Sequence, residues 1–183
     1  MLEKMQNGLR NNCDMKEVSP LRQPFPYPPI QVREQNRYYA DLLTIDYCGS
    51  VSEMTAIMQY LYGQNHLSLC QCPKASVILG IAMTEMIHMQ MLGQMILLLG
   101  GRTDYSVNTR SGSVFWTPQY VNFAEQEAEI LSANIDGERE AINQYRKHMN
   151  MIGDECVTAL LRRIIQDEEY HIMLLQEMSG KSY

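Results

Sequence analysis

The two halves of the sequence carry the same pattern of acidic residues, tyrosine and histidine. The segment Glu53-Met-Thr-Ala-Ile-Met-Gln-Tyr60 matches Glu138-Arg-Glu-Ala-Ile-Asn-Gln-Tyr145 at an offset of 85 residues. Further along the chain, Glu85-Met-Ile-His88 matches Glu168-Glu-Tyr-His171 at an offset of 83 residues. Each half therefore contains one segment with a Glu and a second segment with Glu-x-x-His, which indicates an internal duplication.

The spacing of these residues suits metal binding. Residues at i and i+3 lie on one face of a helix, so each Glu-x-x-His presents an oxygen and a nitrogen to the same point. Four carboxylates and two imidazoles in an apolar interior cannot remain unpaired, and two divalent ions would neutralise the carboxylates. Mixed oxygen and imidazole donors suit Mn or Fe. We expect two Fe or Mn ions per chain, held by Glu53, Glu85, His88, Glu138, Glu168 and His171.

Four helices are predicted to position these residues. From residue 35 onward, apolar residues recur every three or four positions and only two prolines interrupt them. Glycines after the second, third and fourth helices supply stop signals. The expected bounds are about Asn36–Gln64, Lys74–Leu99, Tyr120–Met151 and Asp154–Ser179, with Asp154 as an N-cap.

The links between these helices predict the architecture. Short links join the first helix to the second and the third to the fourth, so each pair forms an antiparallel hairpin. The link 101–119 is much longer than the usual connection of about 4 to 6 residues. It is long enough to run the length of a helix, as a bundle with one long crossover requires. The predicted fold is an all-α four-helix bundle.

The first 34 residues are expected to form an extended arm. They contain five of the seven prolines, and proline cannot propagate a helix. We therefore divide the chain into an arm, residues 1–34, and a four-helix bundle, residues 35–183. We also expect that removing residues 1–30 leaves the bundle folded and metal-loaded while changing its assembly, because Phe25, Tyr27 and Ile30 need a surface to cover them.

Composition narrows the possible partners and the compartment. Fifteen basic residues against 21 acidic ones give a formal charge of -6, so nucleic acid and membrane are not expected partners. Five scattered cysteines form no disulfide framework, and the polar N-terminus shows no secretory signal, so we expect a cytoplasmic protein. The apolar segment 77–99 contains Glu85 and His88, which favours a core helix over a lipid-exposed span.

The repeated motif resembles the ferritin-like superfamily, and within it the rubrerythrin and manganese-catalase-like branch. A Glu from each of two helices and Glu-x-x-His from the other two is the ligand set of its di-iron and di-manganese members. The resemblance implies that Glu85 and Glu168 bridge the two metals and that Glu53 and Glu138 are terminal carboxylates. It also implies that His88 and His171 bind one metal ion each. The Tyr-Pro-Pro segment of the arm resembles the start of some spore-associated ferritin-like proteins, so a spore location is a second possibility.

The expected activity is that of an oxidoreductase acting on hydrogen peroxide or dioxygen. Metal ions cycling between adjacent oxidation states would supply electrons, while Glu53 or Glu138 moves protons. Catalase-like disproportionation needs no other reactant, whereas a peroxidase needs an external electron donor. The alternatives are a ferroxidase with iron storage and a structural, spore-coat-type protein. A homo-oligomer is expected in each case.

Several residues near the motif have two interpretations. Tyr60 and Tyr145 are either core aromatics or hydrogen-bond donors to Glu53 and Glu138. Asp167 is either a neighbour without a role or an acceptor for the second N–H of a metal-bound histidine, a common requirement of such imidazoles.

The remaining chemically active side chains are expected to lie outside the site. Surface or link positions are predicted for Glu140, Glu169, His66, His148, Cys70 and Cys72, with free thiols on the two cysteines. Trp116, on the long link, is expected to pack against the bundle.

Overall fold

The computed structural model describes residues 17–69 and 72–180, which contain five α-helices and one β-hairpin. The helices pack as two hairpins of a four-helix bundle, with the first bundle helix divided in two. In chain order the elements are α1 (Arg37–Cys48), α2 (Glu53–Leu67), α3 (Cys72–Leu98), β1 (Ser106–Thr109), β2 (Gly112–Phe115), a 3-10 turn (Pro118–Tyr120), α4 (Glu127–Met149) and α5 (Glu155–Met178).

The first predicted helix is wrong as one continuous element, because the chain breaks between α1 and α2. Gly49 ends α1, and its N–H donates to the Ile45 carbonyl at 2.8 Å. Ser52 then caps α2 by accepting the Thr55 N–H at 3.2 Å. A Gly-Ser-Val-Ser sequence offers both a helix end and a new cap, so apolar periodicity alone could not locate the break.

The long link between the two hairpins contains structure that the sequence reading did not predict. Strands β1 and β2 pair antiparallel, with Ser106 opposite Phe115 and Thr109 opposite Gly112. Helix α4 begins at Glu127 rather than near Tyr120, because a 3-10 turn and an extended stretch come first. The Trp116 indole donates to Thr55 Oγ1 at 3.0 Å and packs against the apolar core, as expected.

The described part of the arm lies against the bundle. Residues 17–36 form no α-helix or β-strand, and residues 1–16 of the predicted arm lie outside the described range. Leu21, Tyr27, Ile30 and Val32 pack against the core clusters, whereas Phe25 is 58% exposed. This chain therefore supplies the surface that covers Tyr27 and Ile30.

The core consists of two apolar clusters separated along the bundle by a polar layer. One cluster joins α1, the end of α3, the second half of α4 and the start of α5. The other joins α2, the start of α3, the start of α4 and the end of α5. Within residues 17–69 and 72–180, one helix has the length and apolar composition of a membrane span, Pro73–Leu98 of α3. More than half of its most apolar stretch is buried in the bundle, as expected of a core helix.

Candidate metal centre

Four helices bring the six repeated Glu and His side chains into the polar layer. Glu53 lies in the first turn of α2, and Glu138 lies midway along α4. The two Glu-x-x-His pairs lie on α3 and α5. Each of the six side chains is at most 3% exposed, and they are Glu53, Glu85, His88, Glu138, Glu168 and His171.

The six residues form two overlapping donor groups. Within each group, one donor atom from every residue lies within 4.8 Å of the others. Glu85 and Glu168 belong to both groups, so each can supply one oxygen to each group. Glu53 and His88 complete one group, and the other is completed by Glu138 and His171. This arrangement provides two adjacent cation positions with two shared carboxylates.

Both imidazoles turn the same nitrogen toward the centre. His88 Nδ1 lies 2.9 Å from Glu85 Oε2 and 3.4 Å from Glu168 Oε1. His171 Nδ1 lies 2.9 Å from Glu85 Oε1 and 3.1 Å from Glu168 Oε2. Each Nδ1 therefore faces carboxylate oxygens from two helices.

The other ring nitrogens have partners outside the centre. His88 Nε2 lies 3.1 Å from Asp167 Oδ2, which favours the second interpretation of Asp167. His171 Nε2 lies 2.9 Å from the backbone carbonyl oxygen of Leu21, in the arm. A carbonyl oxygen can only accept, so His171 carries a hydrogen on Nε2. In the neutral ring, its Nδ1 lone pair then points at the carboxylates.

The donor set fits divalent metal ions. Among the described residues, Glu53 Oε2 and Glu85 Oε1 are buried without a hydrogen-bond partner; His171 Nδ1 lies close to the latter but is not aligned for a hydrogen bond. The Nδ1 lone pair of His171 faces an unpartnered carboxylate oxygen. Such an arrangement raises the free energy of the folded protein unless a cation lies between the two atoms. Carboxylate and imidazole donors are those that Mn and Fe accept in proteins. The centre can hold metal, and its chemistry does not distinguish these two.

Two buried tyrosines cross between the hairpins to reach Glu53 and Glu138, the carboxylates that belong to one donor group each. The Tyr60 hydroxyl, on α2, donates to Glu138 Oε1 on α4. The Tyr145 hydroxyl, on α4, donates to Glu53 Oε1 on α2. Both tyrosines thus donate to these carboxylates, each to the Glu of the opposite half.

Burial and mutual repulsion set the electrostatics of the carboxylates. Burial, together with Glu168 and Glu85, raises the pKa of Glu138 to about 8. Burial and Glu85 likewise raise the pKa of Glu53 well above its usual value. Burial opposes ionisation of Glu85 too, but the two histidines outweigh it and lower its pKa. Of Glu53, Glu85 and Glu138, it is therefore Glu85 whose carboxylate is most strongly held as an anion.

A cavity of about 280 Å³ leads to the centre between α2 and α4. Its inner wall includes the four carboxylate residues and both tyrosines, and its outer wall includes Asn122 and Glu140. Glu140 is exposed, as predicted, but it lies at this entrance rather than away from the site. Glu169 is also exposed and pairs with Arg146 at 3.1 Å. The cavity is large enough for a small molecule.

The prediction that His148 is solvated is wrong. It is 4% exposed, and its Nδ1 lies 2.8 Å from Oδ2 of the fully buried Asp46. Gln144 Nε2 donates to the other oxygen of this carboxylate at 2.8 Å. His66 is half-buried and lies beside the ring of Tyr62. A polar cluster formed by α1 and α4 has no signature in local spacing, because its residues are about 100 positions apart.

Two residues that contact the Asp167 carboxylate were not predicted from the sequence. Arg163 Nη1 lies 2.7 Å from Asp167 Oδ1, close enough for an ion pair although not aligned as a hydrogen bond. The Tyr27 hydroxyl donates to Oδ2 at 2.6 Å. The spacing of Arg163 and Asp167 on one helix, i and i+4, was the available signal. The prediction for Cys70 falls outside the described residues, as does that for the side chain of Cys72.

Known proteins resemble this chain in sequence or in structure. A probable manganese catalase from Clostridium acetobutylicum is 28% identical over 172 residues, which cover 83% of this chain and 75% of the relative. The crystal structure of KatB, a manganese catalase from Anabaena PCC7120, superposes with a TM-score of 0.74 at 21% identity, covering 86% of this chain and 78% of KatB.

A second solved structure is similar at the level of the fold. It is a dodecameric thioferritin, the bacterioferritin-related protein from Bacteroides fragilis, with a TM-score of 0.58 and 22% identity. The superposition covers 79% of this chain and 86% of the thioferritin. The rubrerythrin family model matches residues 49–179, well over half of the chain and all six residues of the centre. The chain belongs to the rubrerythrin family.

Proposed function

We propose that the protein is a dinuclear manganese or iron oxidoreductase that disproportionates hydrogen peroxide. The observation that carries the proposal is the pair of donor groups that share Glu85 and Glu168 at the inner end of a cavity. The 28% identical relative from Clostridium acetobutylicum, a probable manganese catalase, supports the choice of peroxide and of disproportionation.

Two redox-active ions, when bound, would exchange electrons with peroxide. The protein's own contribution begins with Glu85 and Glu168, whose placement in both donor groups would keep two cations adjacent. The helices that carry them bury the donors, each of which is at most 3% exposed. Preorganised anionic donors in a site of low polarity act strongly because they need no rearrangement during the reaction.

Glu53 and Glu138 are placed to handle protons. Both line the cavity, and each accepts a tyrosine hydroxyl on Oε1. Glu53 Oε2 has no hydrogen-bond partner in the described structure, so it can accept a proton from a small substrate that reaches the inner end of the cavity. Burial of these carboxylates favours their protonated forms and supports this role.

The test uses the full-length protein, loaded separately with Mn and with Fe. Oxygen release from hydrogen peroxide without added reductant is the expected result, and Glu85→Ala is expected to abolish it. Glu169→Ala is the matched control, because it removes an exposed carboxylate on α5. Peroxide consumption only with a reductant would indicate a peroxidase, and Fe(II) oxidation with retention of many ions per chain would indicate a ferroxidase. Metal binding with neither activity would favour a structural role.

We also propose that the protein forms a homo-oligomer. The Bacteroides fragilis thioferritin is a dodecamer. In the present chain the β-hairpin exposes apolar side chains, with Val114 45% and Phe115 66% accessible. Light scattering should give a mass that is a multiple of 21.1 kDa, and Phe115→Ser should reduce it. A monomer at micromolar concentration would contradict the proposal.

A further inference from the structure

The two halves of the chain carry different residues at the position before each Glu-x-x-His. The second half has Asp167, whose carboxylate faces Nε2 of His88 in the first half. The equivalent residue of the first half, 83 positions earlier, is Thr84. A threonine side chain is shorter and uncharged, and this one donates its hydroxyl to the Leu21 carbonyl at 3.0 Å. At this position, therefore, the first half provides no carboxylate for Nε2 of His171.

The arm supplies the missing acceptor. The Leu21 carbonyl oxygen lies 2.9 Å from His171 Nε2 and accepts from Thr84 on its other side. The Leu21 N–H donates to the Gly80 carbonyl at 3.0 Å, so α3 holds both polar groups of this residue. A backbone carbonyl from the proline-rich segment thus takes the place that a side chain takes in the other half.

The same segment also reaches the acceptor of the other histidine. The Gln23 N–H donates to Asp167 Oδ1 at 2.8 Å, and the Tyr27 hydroxyl donates to Oδ2. Arg163, 5% exposed, donates to the carbonyls of Gln23 and Phe25 at 2.9 Å. Its guanidinium also lies 4.4 Å from the centre of the Tyr27 ring. The segment 21–27 therefore supplies the outer partner of His171 and is bound to Asp167, the outer partner of His88.

We propose that residues 21–27 are a positioning segment of the dinuclear centre, and that they make its two metal positions unequal. This inference rests on the metal centre of the proposed function but not on the reaction. The carboxylate of Asp167 orients His88 and increases its basicity, whereas His171 depends on a neutral carbonyl that is present only while the arm is docked. Outer partners of metal-bound histidines commonly change metal affinity by about 10–100-fold.

Gly80 offers a way to displace the arm without touching a donor residue. A Cβ at this position would lie 2.7 Å from Leu21 Cγ and 3.0 Å from the Ser19 carbonyl oxygen. Alanine favours a helix more than glycine does, so α3 should remain helical while the arm shifts. Gly93→Ala is the matched control on α3, because its added methyl meets Tyr47 at 3.3 Å and no residue of the arm.

The experiment titrates Mn²⁺ into metal-free full-length protein and records both binding steps by calorimetry. We expect Gly80→Ala to weaken one step by about 10–100-fold and leave the other within about threefold of wild type. Gly93→Ala should leave both steps unchanged. Trypsin cleavage after Arg22, followed by mass spectrometry, reports whether the arm is docked, because hydrogen bonds hold Leu21 and Gln23 on either side.

A rescue variant separates positioning from general stabilisation. In the Gly80→Ala background, Thr84→Asp places a carboxylate where the repeat predicts the partner of His171. Recovery of the weakened step to within about threefold of wild type supports the proposal, because a stability defect would not be repaired by a buried charge. Failure of this rescue, with the protein folded by circular dichroism, contradicts it.

The outcomes distinguish this inference from the proposed reaction. Unchanged binding in Gly80→Ala, with Arg22 accessible to trypsin, overturns the positioning role alone. A selective loss of one binding step in a protein without peroxide activity supports the positioning role and contradicts the proposed reaction. A wild-type protein that binds fewer than two ions overturns both.

Discussion

In the first hairpin, Glu53 lies in the first turn of α2 directly after a helix break, whereas in the second hairpin Glu138 lies midway along an uninterrupted α4. The two carboxylates nevertheless reach the same polar layer, and each accepts a hydroxyl from the tyrosine of the other hairpin. The common requirement is the position of the carboxylate. The helix that carries the carboxylate can therefore begin at that residue, as α2 does, or continue past it on both sides, as α4 does.

The break requires an additional connection in the first hairpin. Gln144 Nε2 on α4 donates at 2.8 Å both to Asp46 Oδ1 on α1 and to the Val51 carbonyl in the break. His148, one turn further along α4, contacts the second oxygen of Asp46. The continuous helix of one hairpin thus holds together the two helices of the other.

The largest expected effect comes from the two carboxylates, one on each hairpin, that belong to both donor groups. Glu85→Ala and Glu168→Ala should each lose binding of both metal ions, a larger effect than the about 10–100-fold loss typical of an outer partner, because each residue belongs to both donor groups. Elemental analysis after reconstitution measures the occupancy.

The exposed Glu169 provides the control for this prediction. Glu169→Ala should retain two ions per chain, because its side chain pairs with Arg146 at the surface. Full occupancy in either of the two buried variants would show that the hairpins do not contribute equivalent carboxylates to the two donor groups.

The next largest effect tests whether Asp167 and Thr84 differ in their influence on metal affinity. Asp167→Asn should weaken one metal-binding step by about 10–100-fold, because an amide is a poorer acceptor and places an N–H against several donors. Thr84→Val should change binding only a few-fold, because the Leu21 carbonyl remains beside His171. Titration of the metal-free proteins measures both, and equal losses would mean that the two outer positions do not differ.

The sequence predicted the fold and the six candidate donors because those features depend on regular spacing. The Glu-x-x-His pairs follow the helical repeat, and the duplication relates them across the chain. The helix bounds were less accurate at 49–52 and at 120–126. At 49–52 a glycine and two serines favour a helix end and a new cap. At 120–126 the Asn122 side chain accepts the Ala124 N–H at 3.0 Å in a local turn. The apolar pattern continues through both segments.

The features that were missed depend on contacts between distant segments. Nothing near Leu21 in the sequence indicates that its carbonyl lies against His171, because any residue provides a carbonyl. Similarly, His148 resembles a solvated residue near a helix end, and only the packing of α1 against α4 brings Asp46 to it. The crossed tyrosine pairs follow from helix packing as well, whereas the repeat alone leaves their partners open.

A smaller effect on stability tests the connection across the helix break. His148→Ala should lower the free energy of unfolding by about 3 kcal/mol, because it removes one partner of a buried polar pair and leaves Asp46 with Gln144 only. For a chain of this size that corresponds to a decrease in Tm of about 6–12 °C. Thermal unfolding followed by circular dichroism measures it.

His66 is the matched histidine for this measurement. It lies half-buried beside Tyr62 near the end of α2, so His66→Ala should cost at most about 0.5 kcal/mol. If the two variants unfold at the same temperature, the contact between Asp46 and His148 does not stabilise the broken hairpin.

The smallest expected effect tests whether the hairpins are equivalent at Glu53 and Glu138. Tyr60→Phe and Tyr145→Phe each remove a buried hydroxyl that donates to a carboxylate and keep the ring, so each should lower the free energy of unfolding by about 1.5–3 kcal/mol. Both tyrosines are 2% exposed, so their losses should agree within about 0.5 kcal/mol. Urea unfolding of the metal-free proteins gives these values.

A double-mutant cycle then tests which carboxylate each tyrosine contacts, because Tyr60→Phe should couple to Glu138→Gln and add independently to Glu53→Gln. The reverse pattern would place each tyrosine with the carboxylate of its own helix.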